Sequence, residues 1–206
     1  MPKTREQYQQ IKDERKNDII IAAIYLFAFK GYGSTSVDDI ANASKCSHGL
    51  FYHYFENKED LFNKMMRFIV NSFCDHIANV DLTKQKAKFA LHDLLTELTS
   101  ILKDKDNNKV CMLFLLINLF LQKKDLPKPK EHMSSSKNAK PLYIIFNELI
   151  EEGQKDGEFL TEESPKVYAI ALLTMIKGLA YNRLYIGYKE FICPSAEIMM
   201  NLVLKR

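Results

Sequence analysis

Cysteine is scarce in this chain of 206 residues and is not arranged in pairs. The four cysteines lie far apart and form no Cys-x-x-Cys spacing; they are Cys46, Cys74, Cys111 and Cys193. Small disulfide-stapled proteins instead concentrate cysteine at short, repeated intervals. The distribution therefore disfavours a disulfide framework and predicts reduced thiols in a cytoplasmic protein.

Long apolar runs are also missing. The strongest one, Val110–Leu121, is shorter than the roughly 20 residues that a bilayer-spanning helix needs, and it is typical of a buried helix. The amino-terminal sequence MPKTR is polar and lacks the pattern of a secretory signal. We therefore expect a cytoplasmic protein with no membrane partner.

Neither sign of charge dominates the sequence. Lysine and arginine total 29 against 26 acidic residues, which gives a formal net charge of +3. Both signs are also mixed within residues 1–60. Net charge therefore does not argue for a nucleic-acid partner, which has to be inferred from local features. The cations of Lys3–Lys16 are interpreted either as a DNA-backbone contact or as a solvated, frayed helix start.

Motifs of catalysis and of metal binding are absent as well. The sequence contains no Ser/His/Asp order, no glycine-rich phosphate loop and no carboxylate pair in a recognisable setting. His76, His92 and His132 have no second ligand at the spacing that places two on one helical face. We expect neither an enzyme, nor a metal site, nor a cofactor.

What the sequence does contain is helical periodicity almost throughout. Apolar residues recur three and four positions apart, and no alternating strand pattern interrupts them. The predicted fold is all-α with about nine helices, and a proline- and serine-containing loop is expected at 123–140. Helix starts are indicated at Ser36 with Asp39, and at Ser47, Asn57 and Ser164.

The segment SHGLFYHYFENK, residues 47–58, carries two kinds of face on one short helix. Leu50, Phe51 and Phe55 are spaced to pack against neighbouring helices, which leaves His48 and Tyr52 among the outward residues. Two short helices joined by a tight turn form a helix-turn-helix, whose second helix enters the DNA major groove. The segment therefore predicts a DNA-reading helix.

At these residues the chain resembles the tetracycline-repressor (TetR) family of bacterial transcription regulators. The resemblance is carried by AAIYLFAFKGYGSTSVDDIANASKCSHGLFYHYFENKEDLF, residues Ala22–Phe62. It implies an amino-terminal helix-turn-helix domain over residues 1–56 and a ligand-binding and dimerisation domain over 57–206. Beyond Phe62 the likeness is one of helix order and length.

The resemblance implies three sets of functional residues, of which the DNA-contacting set is carried over by position. The DNA-contacting set is Thr35, Ser36, Lys45, Ser47, His48, Gly49, Tyr52, His53, Tyr54 and Lys58, with phosphate contacts implied from Thr35 or Ser36, from Ser47 and from Lys58. The ligand cavity is expected among Phe89, Met112, Leu116, Asn118, Phe120, Tyr143, Phe146, Asn147 and Met175. The dimer interface is expected to include Ala169, Leu172, Leu173, Ile176, Gly178, Ala180, Ile198, Met199 and Leu202.

One position departs from the family pattern. Lys45 stands in the helix-turn-helix turn where the family usually has glycine. If its φ is positive, lysine costs about 1 kcal/mol there relative to glycine. Its ammonium would partly compensate by lying near the DNA backbone.

The resemblance predicts a homodimeric repressor that binds a palindromic double-stranded DNA operator and is released by a small apolar or amphipathic effector. Activation in place of repression stays open. The alternative is a helical ligand-binding or protein-interaction module whose helix-turn-helix reads sequence poorly. Sequence-specific DNA binding separates the two.

Overall fold

The computed structural model describes residues 5–77, 86–121 and 140–205, with side chains from Lys12 onward apart from 74–77 and 119–121. Within these ranges the chain is all-α, as predicted, and its one β feature is an isolated antiparallel bridge between Phe159 and Leu204. The predicted loop at 123–140 lies outside the described residues except for Lys140. The helices are α1 (Arg5–Phe29), α2 (Val37–Ala43), α3 (His48–Tyr54), α4 (Lys58–Ile77), α5 (Ala87–Lys103), α6 (Asn107–Leu121), α7 (Leu142–Lys155), α8 (Pro165–Ile186) and α9 (Ala196–Met200).

The predicted helix starts are confirmed, with one difference. Ser36 and Asp39 form a reciprocal capping box at α2, and Ser47 caps α3 by accepting a hydrogen bond from the Leu50 amide. The Asn57 Oδ1 accepts from the Asp60 amide at 2.9 Å and so caps α4. Ser164 precedes α8 at the cap position but makes no side-chain capping bond there. The proline that follows it suits the first helical position because it has no amide hydrogen to satisfy.

A continuous apolar core links the amino-terminal helices to the rest of the chain. Helix α6 lies between α1 and α8, and α5 packs against α7 and α9. The α6 side chains Val110, Leu113 and Ile117 are completely buried, as is Phe51 of α3. Each such side chain contributes roughly 1.5–3 kcal/mol when it leaves water. None of the described helices is both long and apolar enough to span a bilayer.

Arg183 of α8 is completely buried and joins that helix to the turn between α5 and α6. Its guanidinium donates to the Asn107 Oδ1 at 3.0 Å and to the Asp104 carbonyl at 2.8 Å. These bonds compensate part of the cost of removing a cation from water. Nearby on α6, burial raises the pKa of the Cys111 thiol to about 12, so this cysteine stays protonated.

Candidate nucleic-acid interface

Helix α2 is fixed at its start by charge-assisted hydrogen bonds and at its inner face by apolar packing. The Asp39 carboxylate accepts from the Lys30 ammonium at 2.8 Å and from the Ser36 amide at 2.8 Å. These bonds hold the pKa of Asp39 well below its ordinary value, and the bond from Lys30 contributes most. On the opposite side, Ile40 and Ala41 are buried in the core.

The turn between α2 and α3 places Lys45 in the left-handed region, at φ +52°. The Lys45 amide donates to the Asn42 carbonyl at 3.2 Å, and the Cys46 amide donates to the Ala41 carbonyl at 2.9 Å. This bond pair is a Schellman motif with Lys45 at the position that glycine usually occupies. Elsewhere in the described chain, every other residue with positive φ is a glycine, for example Gly31 and Gly157. Lys45 therefore has the positive φ at which lysine is less favourable than glycine.

Helix α3 presents one face to the core and the other to solvent. Phe51 and, just after the helix, Phe55 are buried, with ring centroids 5.5 Å apart. Within residues 47–55 the exposed residues are Ser47, His48, Gly49, Tyr52 and His53. A side chain added at Gly49 would meet only the Ser47 hydroxyl, at 3.9 Å, so internal packing does not require glycine there. The outward face is therefore unobstructed by the rest of the described chain.

His48 has a partner that the sequence did not reveal. Its Nε2 pairs with a carboxylate oxygen of Asp38 on α2, and both side chains are largely exposed. Its ring also lies edge-on to Tyr52, whose side chain is 54% exposed. The outward face thus combines imidazole and phenol groups with one acidic neighbour. No spacing rule links Asp38 to His48, because the turn brings them together.

Two residues expected to contact phosphate are engaged inside the protein. Thr35 is buried, and its hydroxyl donates to the Gly31 carbonyl at 2.7 Å, so the predicted phosphate contact of its side chain is wrong. The Lys58 ammonium donates to the carbonyls of Tyr32 at 2.9 Å and Thr35 at 2.8 Å. It also lies 4.3 Å from the centroid of the Tyr32 ring. Lys58 therefore holds the connection between α1 and α2, and the role expected of it is corrected.

The other predicted DNA-contacting residues keep an accessible position. Ser36 and Lys45 are exposed, and Tyr54 is half-buried against the core. Their contacts with DNA stay predictions, as do those of the outward residues of α3. Charge near this face is mixed, because the exposed Lys45 lies on the same helix-turn-helix as the carboxylate of Asp38.

The residues expected in a ligand cavity do not share one site. Phe89 is 56% exposed on α5, so its assignment to an internal cavity is wrong. Asn118 lines a groove beside the end of α1, whereas Asn147 lines a different groove between α7 and the start of α8. The Phe120 side chain lies outside the described residues. The remaining residues are buried or half-buried in or beside the core; they are Met112, Leu116, Tyr143, Phe146 and Met175.

The expected dimer residues fall on two different faces. Several are buried within the single chain and are unavailable to a partner, which corrects their assignment; these are Ala169, Leu172, Leu173, Ile176, Ala180 and Met199. Gly178, Ile198 and Leu202 are exposed, as expected of an interface. Helix α8 carries a further exposed row at helical spacing, which we call the outer α8 face: Val167, Ile170, Thr174, Gly178, Tyr181 and Tyr185.

This architecture is similar to that of known transcription regulators. Residues 19–65, which include α2, α3 and the turn between them, match the sequence model described as bacterial regulatory proteins, tetR family. The chain is 30% identical to the uncharacterised HTH-type transcriptional regulator YuxN of Bacillus subtilis (strain 168), over 92% of this chain and 62% of that protein. The chain thus spans about three fifths of the length of that relative.

Two further comparisons cover nearly whole chains. YfiR, another uncharacterised HTH-type transcriptional regulator of Bacillus subtilis (strain 168), is 24% identical over 99% of this chain and 97% of its own length. A TetR-family transcriptional regulator from Agrobacterium tumefaciens shares the fold with a TM-score of 0.64 at 17% identity, over 94% of this chain and 100% of that one. Family match, relatives and fold agree: the chain is similar to the TetR family of bacterial transcription regulators, and residues 19–65 carry the sequence of that family's model.

Proposed function

We propose that this chain is a homodimeric, ligand-responsive repressor that reads a palindromic DNA operator through α3. The observation that carries the proposal is the outward face of α3, where His48, Gly49, Tyr52 and His53 are exposed while Phe51 fastens the helix to the core. A helix of this kind fits the major groove, which is about 12 Å wide.

The exposed groups match the chemistry of base edges and phosphates. Imidazole and phenol groups donate and accept hydrogen bonds, and Gly49 allows the start of the helix to approach the bases closely. Lys45 in the turn and the amide groups at the start of α3 favour phosphate. The register of α3 is rigid because Phe51 and Phe55 anchor it, so the reading groups are held in place before DNA arrives.

The outer α8 face supports the homodimer. Helix α8 already buries one apolar row in the core, and its second row still exposes Val167, Ile170, Tyr181 and Tyr185 to water. Gly178 lies on this second row, and a side chain added there would meet nothing within 4 Å. A glycine with open space beside it permits close approach of a partner helix. Two-fold pairing along this face would present two reading helices to one operator.

Release follows from a difference in ligand affinity between two dimer states. An apolar or amphipathic effector that prefers the state with displaced reading helices draws the population away from DNA. A preference of about 5.5 kcal/mol moves the equilibrium from 1:99 to 99:1, and smaller preferences give graded release. A ligand that binds tightly yet leaves operator affinity unchanged is not the effector.

Selection of the purified protein on a randomised duplex pool tests the DNA-reading part. We expect an enriched two-fold motif that is lost in Tyr52→Ala and retained in Tyr25→Ala, a matched exposed tyrosine on α1. Absence of any enriched motif from a folded dimer at low salt would contradict the proposal and favour a helical interaction module.

Sedimentation tests the dimer independently of DNA. Ile170→Arg places a charge on the outer α8 face and is expected to yield a monomer. Phe89→Arg replaces an exposed apolar residue on α5 and serves as the matched control, which should remain dimeric. A dimeric Ile170→Arg protein would show that the interface lies elsewhere.

A further inference from the structure

Asp38 of α2 is not among the DNA-contacting residues that the family resemblance implies, yet its carboxylate lies beside the outward face of α3. One of its oxygens pairs with the Nε2 of His48, which is the first residue of α3. The amino-terminal residues of a recognition helix are the ones that contact base edges. The carboxylate therefore lies where α3 would meet the bases.

The two acidic residues in the first turn of α2 have different partners. Asp39 forms the capping box with Ser36 and accepts from Lys30, so its oxygens are used within the protein. The Asp38 side chain is 72% exposed, and its partner in the described chain is His48. A carboxylate has about four acceptor sites, so pairing with one imidazole leaves Asp38 able to accept further hydrogen bonds. An acceptor with spare capacity thus lies on the DNA-facing side.

His48 is held by two contacts, and it positions the carboxylate with which it pairs. Its Nε2 has to carry a hydrogen, because a lone pair on that nitrogen would be repelled by the carboxylate oxygen. The imidazole ring also lies edge-on to Tyr52, with ring centroids 6.2 Å apart. Tyr52 follows one helical turn later on α3, and buried Phe51 anchors that helix in the core. The Asp38 carboxylate is therefore positioned by α3 as well as by its own helix.

The chemistry of the major groove restricts what a carboxylate can bind there. Phosphate oxygens, guanine N7 and O6, and thymine O4 are acceptors, which a carboxylate repels. The donors are the N4 amino group of cytosine and the N6 amino group of adenine. Adenine carries the N7 acceptor beside its amino group, which suits asparagine or glutamine, whereas cytosine presents its donor alone. An ionised carboxylate among the reading groups is thus complementary to cytosine.

We propose that Asp38, positioned by His48, reads a cytosine in each half-site of the operator. The Asp38 carboxylate accepts from the cytosine N4 amino group, and the Nε2 hydrogen of His48 offsets part of the negative charge that the carboxylate brings towards the phosphates. Base recognition is thereby shared between α2 and α3. This inference rests on the proposed function, since it needs the outward face of α3 to enter the major groove.

Replacing Asp38 by asparagine separates base reading from charge repulsion. Asparagine keeps an acceptor for cytosine and adds a donor, which pairs with adenine N7. Removing the carboxylate strengthens binding to every duplex, but a duplex with adenine at the read position should gain most. The ratio of the affinity for cytosine to the affinity for adenine at that position should therefore fall about tenfold in Asp38→Asn.

The matched control is Asp18→Asn on α1. Asp18 is an exposed aspartate paired with Arg15 at 3.7 Å, so its substitution removes the same charge from the same amino-terminal region. This variant should keep the wild-type base preference at every operator position. A loss of the cytosine preference in Asp18→Asn would show that overall charge, and not the position of Asp38, sets that preference.

The positioning role of His48 has its own test, because one residue is inferred to act through the other. His48→Ala should lose the cytosine preference as completely as Asp38→Ala, and the double variant should lose no more. Retention of the cytosine preference in His48→Ala overturns this role. Unfolding midpoints of all variants show that each is folded, as expected for two exposed side chains.

The measurement is selection of each protein on the randomised duplex pool at one salt concentration. Fluorescence anisotropy then gives the affinities for the selected duplex and for its single-base substitutions. We expect a wild-type motif with cytosine at one position of each half-site. In Asp38→Asn the motif should broaden to adenine at that position alone.

The outcomes separate this inference from the function on which it rests. A wild-type motif without such a cytosine overturns the inference and leaves the proposed function intact. Uniformly tighter binding by Asp38→Asn with an unchanged motif also overturns it, because the carboxylate then only repels DNA. Absence of any motif from the wild type refutes the proposed function itself, and the inference with it.

Discussion

Replacing Lys45 by glycine is expected to stabilise the fold. A left-handed backbone at φ +52° costs a side-chain-bearing residue about 1–2 kcal/mol. Glycine removes that cost but increases the freedom of the unfolded chain, which offsets about 0.4–1 kcal/mol. The expected net gain in the free energy of unfolding is therefore about 0.5–1 kcal/mol, equivalent to a rise of about 1–4 °C in Tm for a chain of this size.

Comparison with Lys45→Ala isolates the backbone contribution. Alanine removes the same charge and keeps the β-carbon that makes a positive φ costly, so Lys45→Ala should gain no stability. Thermal and urea unfolding of the three proteins provide the measurement. Equal midpoints for the glycine and alanine variants would refute the assignment of strain to this turn.

The same pair of variants tests the role of the ammonium in DNA binding. Each phosphate contact contributes about −0.9 to the slope of log K against log salt. If Lys45 neutralises one phosphate in each subunit, both variants should flatten that slope by about 1.8 for the dimer. A slope equal to that of the wild type would show that the side chain does not neutralise a phosphate, whatever the variants do to stability.

Other predictions follow from the contacts of individual side chains. Lys58→Ala should lower the free energy of unfolding by about 2 kcal/mol, because two carbonyls lose a charged donor; an unchanged urea midpoint would contradict this. Asp39→Asn should destabilise the fold at neutral pH, because the Lys30 hydrogen bond lowers the pKa of that carboxyl in the folded state. The Asp39 carboxylate stabilises the fold above its unfolded pKa of about 3.9, and this stabilisation is lost as the pH falls towards its folded pKa. The melting curves of the wild type and Asp39→Asn should therefore converge in acid. Asp38→Asn should tighten operator binding about two- to fivefold, measured by fluorescence anisotropy, because a carboxylate leaves the DNA-facing side. Alkylation followed by mass spectrometry should show that Cys111 is protected until the chain unfolds, since its thiol is buried and protonated.

The helix starts were predictable because the interactions that make them are local. The capping box of Ser36 and Asp39, and the cap from Asn57 to Asp60, each span three residues. A sequence displays such pairs directly, and the same locality makes the helix-turn-helix recognisable. Burial of Phe51 with exposure of Tyr52 also followed from helical spacing alone.

The role of Lys58 was not predictable, because its partners lie far away in the sequence. Its two acceptors are backbone carbonyls 26 and 23 residues earlier. A carbonyl carries no sequence signal, so a lysine at a helix start is naturally interpreted as a phosphate ligand. Only the packing of α4 beside the connection from α1 to α2 shows that the ammonium is directed inward.

Helix α8 shows a second kind of limit, which arises because both of its long faces are apolar. Periodicity identifies which residues share a face, but the choice of inner face depends on the neighbouring helices. The inner row ends at Arg183, a residue that sequence reasoning assigns to solvent, and its burial depends on acceptors at Asn107 and Asp104. Because that row is buried in the core, Tyr181 and Tyr185 lie on a face that the described part of the chain leaves exposed. A second subunit would remove this face from water, so the burial of Arg183 supports the proposed dimer more directly than the hydrophobicity of α8 does.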